Sequence, residues 1–219
     1  MDFRYLGLSG LKVSSYCLGT MTYGETTEEN DAHLQISEAF SSGINFIDTA
    51  EMYPTCPIRK ETSGETEKII GNWINNNKDK RKDIILATKV VGNGFKYIRD
   101  GGPITKETIK VALHGSLKRL KTDYIDLYQL HWPNRGSYHF RSYWNYKPEK
   151  QDSKNITDEF LDIINTLNDF KKEGLIRAIG VSNETCWGVM KLNEIIKDIE
   201  NLCIASIQNE YSLMCRLFD

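Results

Sequence analysis

Residues 123–133 read Asp123-Tyr124-Ile125-Asp126-Leu127-Tyr128-Gln129-Leu130-His131-Trp132-Pro133. The run Ile125 to Leu130 has the length and apolar, aromatic content of a buried strand, and it ends on an ionisable residue followed by a proline that stops the pattern. Working outward, the segment after Thr105 carries Ile109, Leu113, Leu117 and Leu120 on one stripe, and the segment after Thr157 does the same with Phe160, Ile164, Leu167 and Phe170. Both are amphipathic helices with one face for a sheet. Similar apolar runs recur at Ser15–Leu18, Ile44–Ile47, Ile84–Ala87, Ala178–Val181 and Cys203–Ile207. They lack strict in-and-out alternation, as parallel strands covered on both faces do. Alternating strand and helix signals spaced by roughly 30 to 40 residues mean βαβ units.

Helix starts are expected at the Thr26-x-x-Glu29 capping box, at Thr105 before Lys106-Glu107, and at Thr157 before Asp158-Glu159. Gly174 is expected to end the helix before the strand at Ala178. Phe3–Leu6 and Leu11–Val13 around Gly7 to Gly10 predict a small hairpin able to plug one barrel end. Pro133 to Asn155, with Tyr138, Phe140, Tyr143, Trp144 and Tyr146, is too long for a plain connector and marks a substrate-side loop.

Six strands and five helices fit either an open doubly wound sheet or six units of an eight-fold barrel. The first option calls for a GxGxxG turn after the first strand, and the residues there are Gly19-Thr20-Met21-Thr22-Tyr23-Gly24. The doubly wound option thus loses its main support; if the fold is an eight-fold (β/α)₈ TIM barrel, the chain is an incomplete one, about six of eight units, forming a single partial domain over residues 1–219.

Composition excludes several function classes. The 219 residues are 40% hydrophobic and 26% charged with a formal net charge of −2, so a nucleic-acid partner or an anionic membrane surface finds no broad basic attraction. No apolar run reaches membrane-spanning length, and residues 1–13 show no continuous apolar stretch, so no secretory signal is expected. The cysteines Cys17, Cys56, Cys186, Cys203 and Cys215 show neither CxxC spacing nor a disulfide framework. Reduced thiols, a cytoplasmic location and no metal site are the expectations.

The strand runs end in Asp48, Lys89, His131, Ser182-Asn183 and Gln208. In a parallel barrel these ends share one rim, where barrel enzymes place their chemistry. Together with Ile47-Asp48-Thr49-Ala50-Glu51-Met52-Tyr53, Gly64-Glu65-Thr66-Glu67, Thr88-Lys89, Ile179-Gly180-Val181-Ser182-Asn183-Glu184 and Gln208-Asn209-Glu210-Tyr211-Ser212-Leu213, they make the chain resemble the aldo-keto reductase family throughout, most closely its Tas-like branch. The resemblance implies a barrel enzyme that reduces aldehydes or ketones to alcohols with NADPH. It implies a tetrad of Asp48, Tyr53, Lys89 and His131: Tyr53 as proton donor, Lys89 lowering its pKa with Asp48 holding the ammonium, and His131 orienting the carbonyl. It also implies Ser182, Asn183 and Gln208 at the nicotinamide carboxamide, Thr20 on the ribose or pyrophosphate side, and Tyr23 and Trp132 as walls of the substrate pocket. The family continues beyond the sixth strand, so a C-terminally truncated barrel is expected, with self-association as one way to cover it. The competing reading is a non-catalytic or regulatory chain of the same fold.

Overall fold

The computed structural model describes residues 1–139 and 144–217. Phe140 and Tyr143 of the aromatic loop lie outside the described residues. An antiparallel hairpin of β1 (Phe3–Tyr5) and β2 (Lys12–Ser14) precedes a six-stranded parallel sheet. The sheet comprises β3 (Cys17–Gly19), β4 (Phe46–Asp48), β5 (Ile85–Val90), β6 (Ile125–Leu130), β7 (Ile176–Ser182) and β8 (Ile204–Gln208). Five helices connect them: α1 (Glu29–Ser41), α2 (Glu65–Asn76), α3 (Lys106–Leu120), α4 (Ser153–Lys172) and α5 (Cys186–Ile196).

The strands lie in sequence order, β3-β4-β5-β6-β7-β8. A doubly wound sheet reverses its order at a switch point, and this one never does. It curls instead. Neighbouring strands lie about 4.8 Å apart, so β4 and β8 of a flat sheet would be separated by roughly 19 Å. Yet the Gln208 side chain at the end of β8 donates to Asp48 at the end of β4 over 3.1 Å. The sheet is an arc of a barrel whose interior the two side chains share.

Period-two alternation sorts the strand residues. One face turns Ile47, Leu86, Tyr128, Ile179 and Val181 to the helices, where they meet Ile109, Leu113, Phe160, Ile164 and Leu167 in the main core. The other turns Phe46, Ile85, Ala87, Leu127, Ala178 and Ala205 into the barrel, where Leu11 and Val13 join them. Those two residues come from the hairpin, which is moored beside the start of β4: Ser14 donates its amide to Asn45 Oδ1 (2.7 Å) and Asn45 Nδ2 donates to the Lys12 carbonyl (3.0 Å). The hairpin thus occupies the end opposite the strand C-termini.

Thr105 caps α3 in a box completed by Thr108, and Gly174 lies just past α4 with φ +78°. Two expected starts are corrected. No side chain caps α1, whose N-cap is Glu28; Thr22 and Thr27 hydrogen-bond each other in the preceding turn instead, at 3.0 Å. α4 begins one turn earlier than Thr157 suggests, because Asp152 accepts from the Lys154 and Asn155 amides while the Thr157 hydroxyl folds back on the Ser153 carbonyl. Asp is the stronger cap, and a threonine inside a helix satisfies itself this way.

α2 and α3 touch through Gly71, where a Cβ would stand 2.1 Å from the Arg119 carbonyl oxygen. Backbone cannot yield as a side chain tip does. Gly71→Ala is expected to destabilise the fold by about 1–3 kcal/mol, read as a lower urea midpoint with an unchanged slope.

Candidate active site

Each group at the rim is delivered by a strand end. Asp48 closes β4, Lys89 is the penultimate residue of β5, His131 follows β6, and Ser182 and Gln208 close β7 and β8. Tyr53 comes from the turn after β4. Its carbonyl accepts from the amides of Gly64 (3.0 Å) and Thr66 (3.4 Å) at the start of α2, and its amide donates to Ala50 (3.1 Å).

The structure brings Asp48, Lys89, Tyr53 and His131 together. Lys89 is 1% exposed, and its Nζ donates to Asp48 Oδ2 (2.6 Å) and to the Thr49 carbonyl (2.8 Å). Its Nζ also stands over the Tyr53 ring, 5.0 Å from the centroid, close enough for the two groups to shift each other's pKa. Burial pushes the Lys89 pKa down, but the Asp48 carboxylate and Tyr53 more than offset this and leave it above the ordinary lysine value. At Tyr53 burial is the largest influence and raises the pKa. The Lys89 charge pulls it back only in part, so the phenol stands above the ordinary tyrosine range rather than below it. The depressed phenol expected from the lysine alone is therefore corrected: Lys89 acts in that direction, and desolvation wins.

The His131 ring stands edge-on to Tyr53, centroids 5.8 Å apart, and 4.7 Å from the Trp132 ring. Burial first, then the Lys89 charge, holds its pKa well below the ordinary imidazole value. His131 is therefore neutral at physiological pH, and among the described residues its Nδ1 has no hydrogen-bond partner. For a base whose pKa is lowered by folding, the unfolded chain binds the extra proton. Stability is then complete above the unfolded value near pH 6.5 and falls as pH drops below it, by up to about 1.4 kcal/mol per pH unit. Urea midpoints taken across this range are expected to fall more steeply for the parent than for His131→Gln; parallel curves would contradict it.

Sequence reasoning missed Gln129. It is buried, donates Nε2 to Asp48 Oδ1 (3.1 Å), and meets Gln208 Oε1 (3.2 Å). Its position two residues before His131 puts it on the same inward face, which is the signal that would have found it. Asp48 thus accepts one ammonium and two amides.

Beside this cluster opens a cavity of about 810 Å³, walled by Met21, Met52, Tyr53, Phe95, His131 and Trp132 among others. Trp132 lies where expected, its Nε1 donating to the Asn93 carbonyl at 3.2 Å. Tyr23 does not. It is buried in the main core, with its carbonyl accepting the Thr66 hydroxyl at 2.6 Å, because the turn after β3 folds inward against α2. Thr20 is also buried, and its hydroxyl donates to the Asp48 carbonyl at 2.8 Å. Ser182 donates to the Gln208 carbonyl (2.8 Å), and Asn183 donates to the His131 carbonyl (2.9 Å) and Ser182 Oγ (3.1 Å). Next to them, Asn209 Oδ1 is buried without a partner among the described residues. These amides and hydroxyls suit a carboxamide, which needs both a donor and an acceptor.

The described residues contain no cluster of three or more His, Cys, Asp or Glu able to hold a metal ion, and no helix long and apolar enough to cross a membrane. The arrangement can place a proton on an oxygen: a phenol backed by an ammonium, beside a neutral imidazole, at an apolar cavity.

Comparison with known proteins gives concordant matches. The sequence model of the aldo/keto reductase family matches residues 16–219. Protein tas of Escherichia coli (strain K12) is 42% identical over 222 residues, covering 100% of this chain and 62% of that protein. The uncharacterized oxidoreductase YrpG of Bacillus subtilis (strain 168) is 34% identical, covering 99% and 60%. Among solved structures, the thermostable aldo-keto reductase Tm1743, in complex with the inhibitor epalrestat, aligns with a TM-score of 0.67 at 27% identity, covering 96% of this chain and 63% of that one. The chain spans about three fifths of the length of these relatives.

Proposed function

The chain belongs to the aldo/keto reductase family, and from that premise we propose that it is a cytoplasmic oxidoreductase that reduces an aldehyde or ketone to an alcohol with NADPH. The observation that carries this reading is the contact chain Asp48–Lys89–Tyr53, an ion pair followed by an ammonium over a phenol ring, ending at the apolar cavity. When bound, the reduced nicotinamide supplies a hydride to the carbonyl carbon. Tyr53 gives its proton to the carbonyl oxygen, Lys89 stabilises the phenolate left behind, and solvent later returns the proton. His131, neutral, hydrogen-bonds the same oxygen and orients it. Asp48, itself held by Gln129 and Gln208, keeps the ammonium charged and aimed. Ser182 and Asn183 would hold the carboxamide, with Gln208 beside them.

The largely hydrocarbon and aromatic wall favours an uncharged substrate, since a carboxylate or phosphate entering it would lose hydration and the described lining residues include no lysine or arginine to match it. The test is to incubate the chain with NADPH and an uncharged aromatic aldehyde. Loss of NADPH above the aldehyde-free control supports the reading; the absence of both turnover and NADPH binding defeats it for this chain.

A further inference from the structure

One wall of the cavity comes from the connection between β5 and α3, through Asn93, Gly94 and Phe95. Few features of that connection are regular. It contains a short 3₁₀ turn, Arg99–Gly101, in which Arg99 (φ 45°) and Asp100 (φ 57°) are successive non-glycine residues in the left-handed region, a conformation that must be held by its surroundings.

The holder is Glu51, a buried carboxylate three residues after Asp48 and two before Tyr53. Arg99 Nη1 donates to its Oε2 and Arg99 Nη2 to its Oε1, each at 2.6 Å. Arg99 Nη2 also donates to the Val91 carbonyl (2.9 Å), while the Val91 amide donates to Glu51 Oε1. The Glu51 amide in turn donates to the Lys89 carbonyl at 3.2 Å. A planar guanidinium engaged at both prongs fixes direction as well as distance. The pair therefore ties the far end of the wall connection to the backbone between Asp48 and Tyr53, although neither residue lines the cavity.

The wall itself has little slack. Phe95 stands edge-on to Trp132 at 6.1 Å, and a Cβ at Gly92 would lie 2.9 Å from Trp132 Nε1. Backbone bonds join the turn region to this wall, Ile98 donating to the Phe95 carbonyl (2.8 Å) and Gly94 to the Gly101 carbonyl (3.2 Å), and ring contacts continue from Phe95 to Trp132 and His131.

We propose that Glu51 and Arg99 are positioning residues that fix the Phe95–Trp132 wall and so set the width of the carbonyl compound the cavity admits. This rests on the reductase reading of the cavity, and the experiment separates the two. Cys56 lines the same cavity, whereas Cys186 is exposed and outside it. Alkylation of each cysteine by N-methylmaleimide and by N-(1-naphthyl)maleimide, followed by peptide mass spectrometry, reads cavity width without needing turnover.

In Arg99→Met, and in Glu51→Gln where the Val91 amide keeps its acceptor, the bulky-to-small ratio at Cys56 is expected to rise about tenfold while that at Cys186 stays at the parental value. Arg99→Lys keeps the charge without the fork and falls between. In turnover, the kcat/KM ratio of a two-ring to a one-ring aromatic aldehyde rises, mainly through KM. An unchanged Cys56 ratio in both variants overturns the proposal. So does an equal rise at every cysteine, which would mean general loosening, and so does a widened cavity with unaltered substrate selectivity. Absence of turnover in the parent counts against the reductase reading alone, and the alkylation ratios then decide the role of the pair.

Discussion

Replacing Tyr53 with phenylalanine is expected to lower carbonyl-dependent NADPH oxidation by about 10²–10⁴-fold, the range spanned by a positioned proton donor. The substitution removes one hydroxyl and leaves the ring against His131 and Lys89, so the fold and the cavity keep their shape. NADPH binding, which the reading assigns to Ser182 and Asn183, is expected to stay within about twofold of the parent. The pH profile adds a second check. Because burial holds the Tyr53 pKa above the ordinary tyrosine value, the phenol keeps its proton across the neutral range. A loss of rate that follows deprotonation of this group belongs above about pH 10. A Tyr53→Phe variant as fast as the parent would remove the proton donor from the mechanism. A rate falling already near neutral pH in the parent would point to a different titrating group.

Much of this site was legible because a parallel strand has few options. Once Ile125–Leu130 reads as a buried strand, His131 must stand at its end. The same logic puts Asp48, Lys89, Ser182 and Gln208 on one rim, and the strand order bears out the partial barrel. What escaped reading was decided by tertiary contact. Tyr23 and Trp132 look alike as aromatic residues after strand ends, yet the turn after β3 folds Tyr23 under α2 while Trp132 stays at the cavity. Thr26 and Asp152 differ only in whether the helix arrives in the right place for the cap, which local sequence does not say. Glu51 and Arg99 are 48 residues apart, and no periodicity links them. The balance at Tyr53 turned on burial, a property of the assembled barrel, and so reversed the direction that the neighbouring lysine alone would suggest.

The largest effect on stability is expected at Lys89. Its ammonium and the Asp48 carboxylate are both nearly out of contact with water, where removing one partner of an ion pair leaves the other charge uncompensated. Lys89→Met is expected to destabilise the chain by about 3–5 kcal/mol, whereas Asp48→Asn/Lys89→Met, which leaves neither charge, should regain most of that loss. Urea denaturation of the parent, both single variants and the double variant closes the cycle. Two features of the site bear on the size of the effect. Gln129 and Gln208 would still donate to Asp48 in Lys89→Met, which softens the penalty. The Thr49 carbonyl would lose the ammonium it accepts from now, which deepens it. A Lys89→Met chain as stable as the parent would show that the Asp48 carboxylate needs no ammonium beside it. In that case the carboxylate would not hold the ammonium in place, and the chain of contacts that supports Tyr53 would lose its first link.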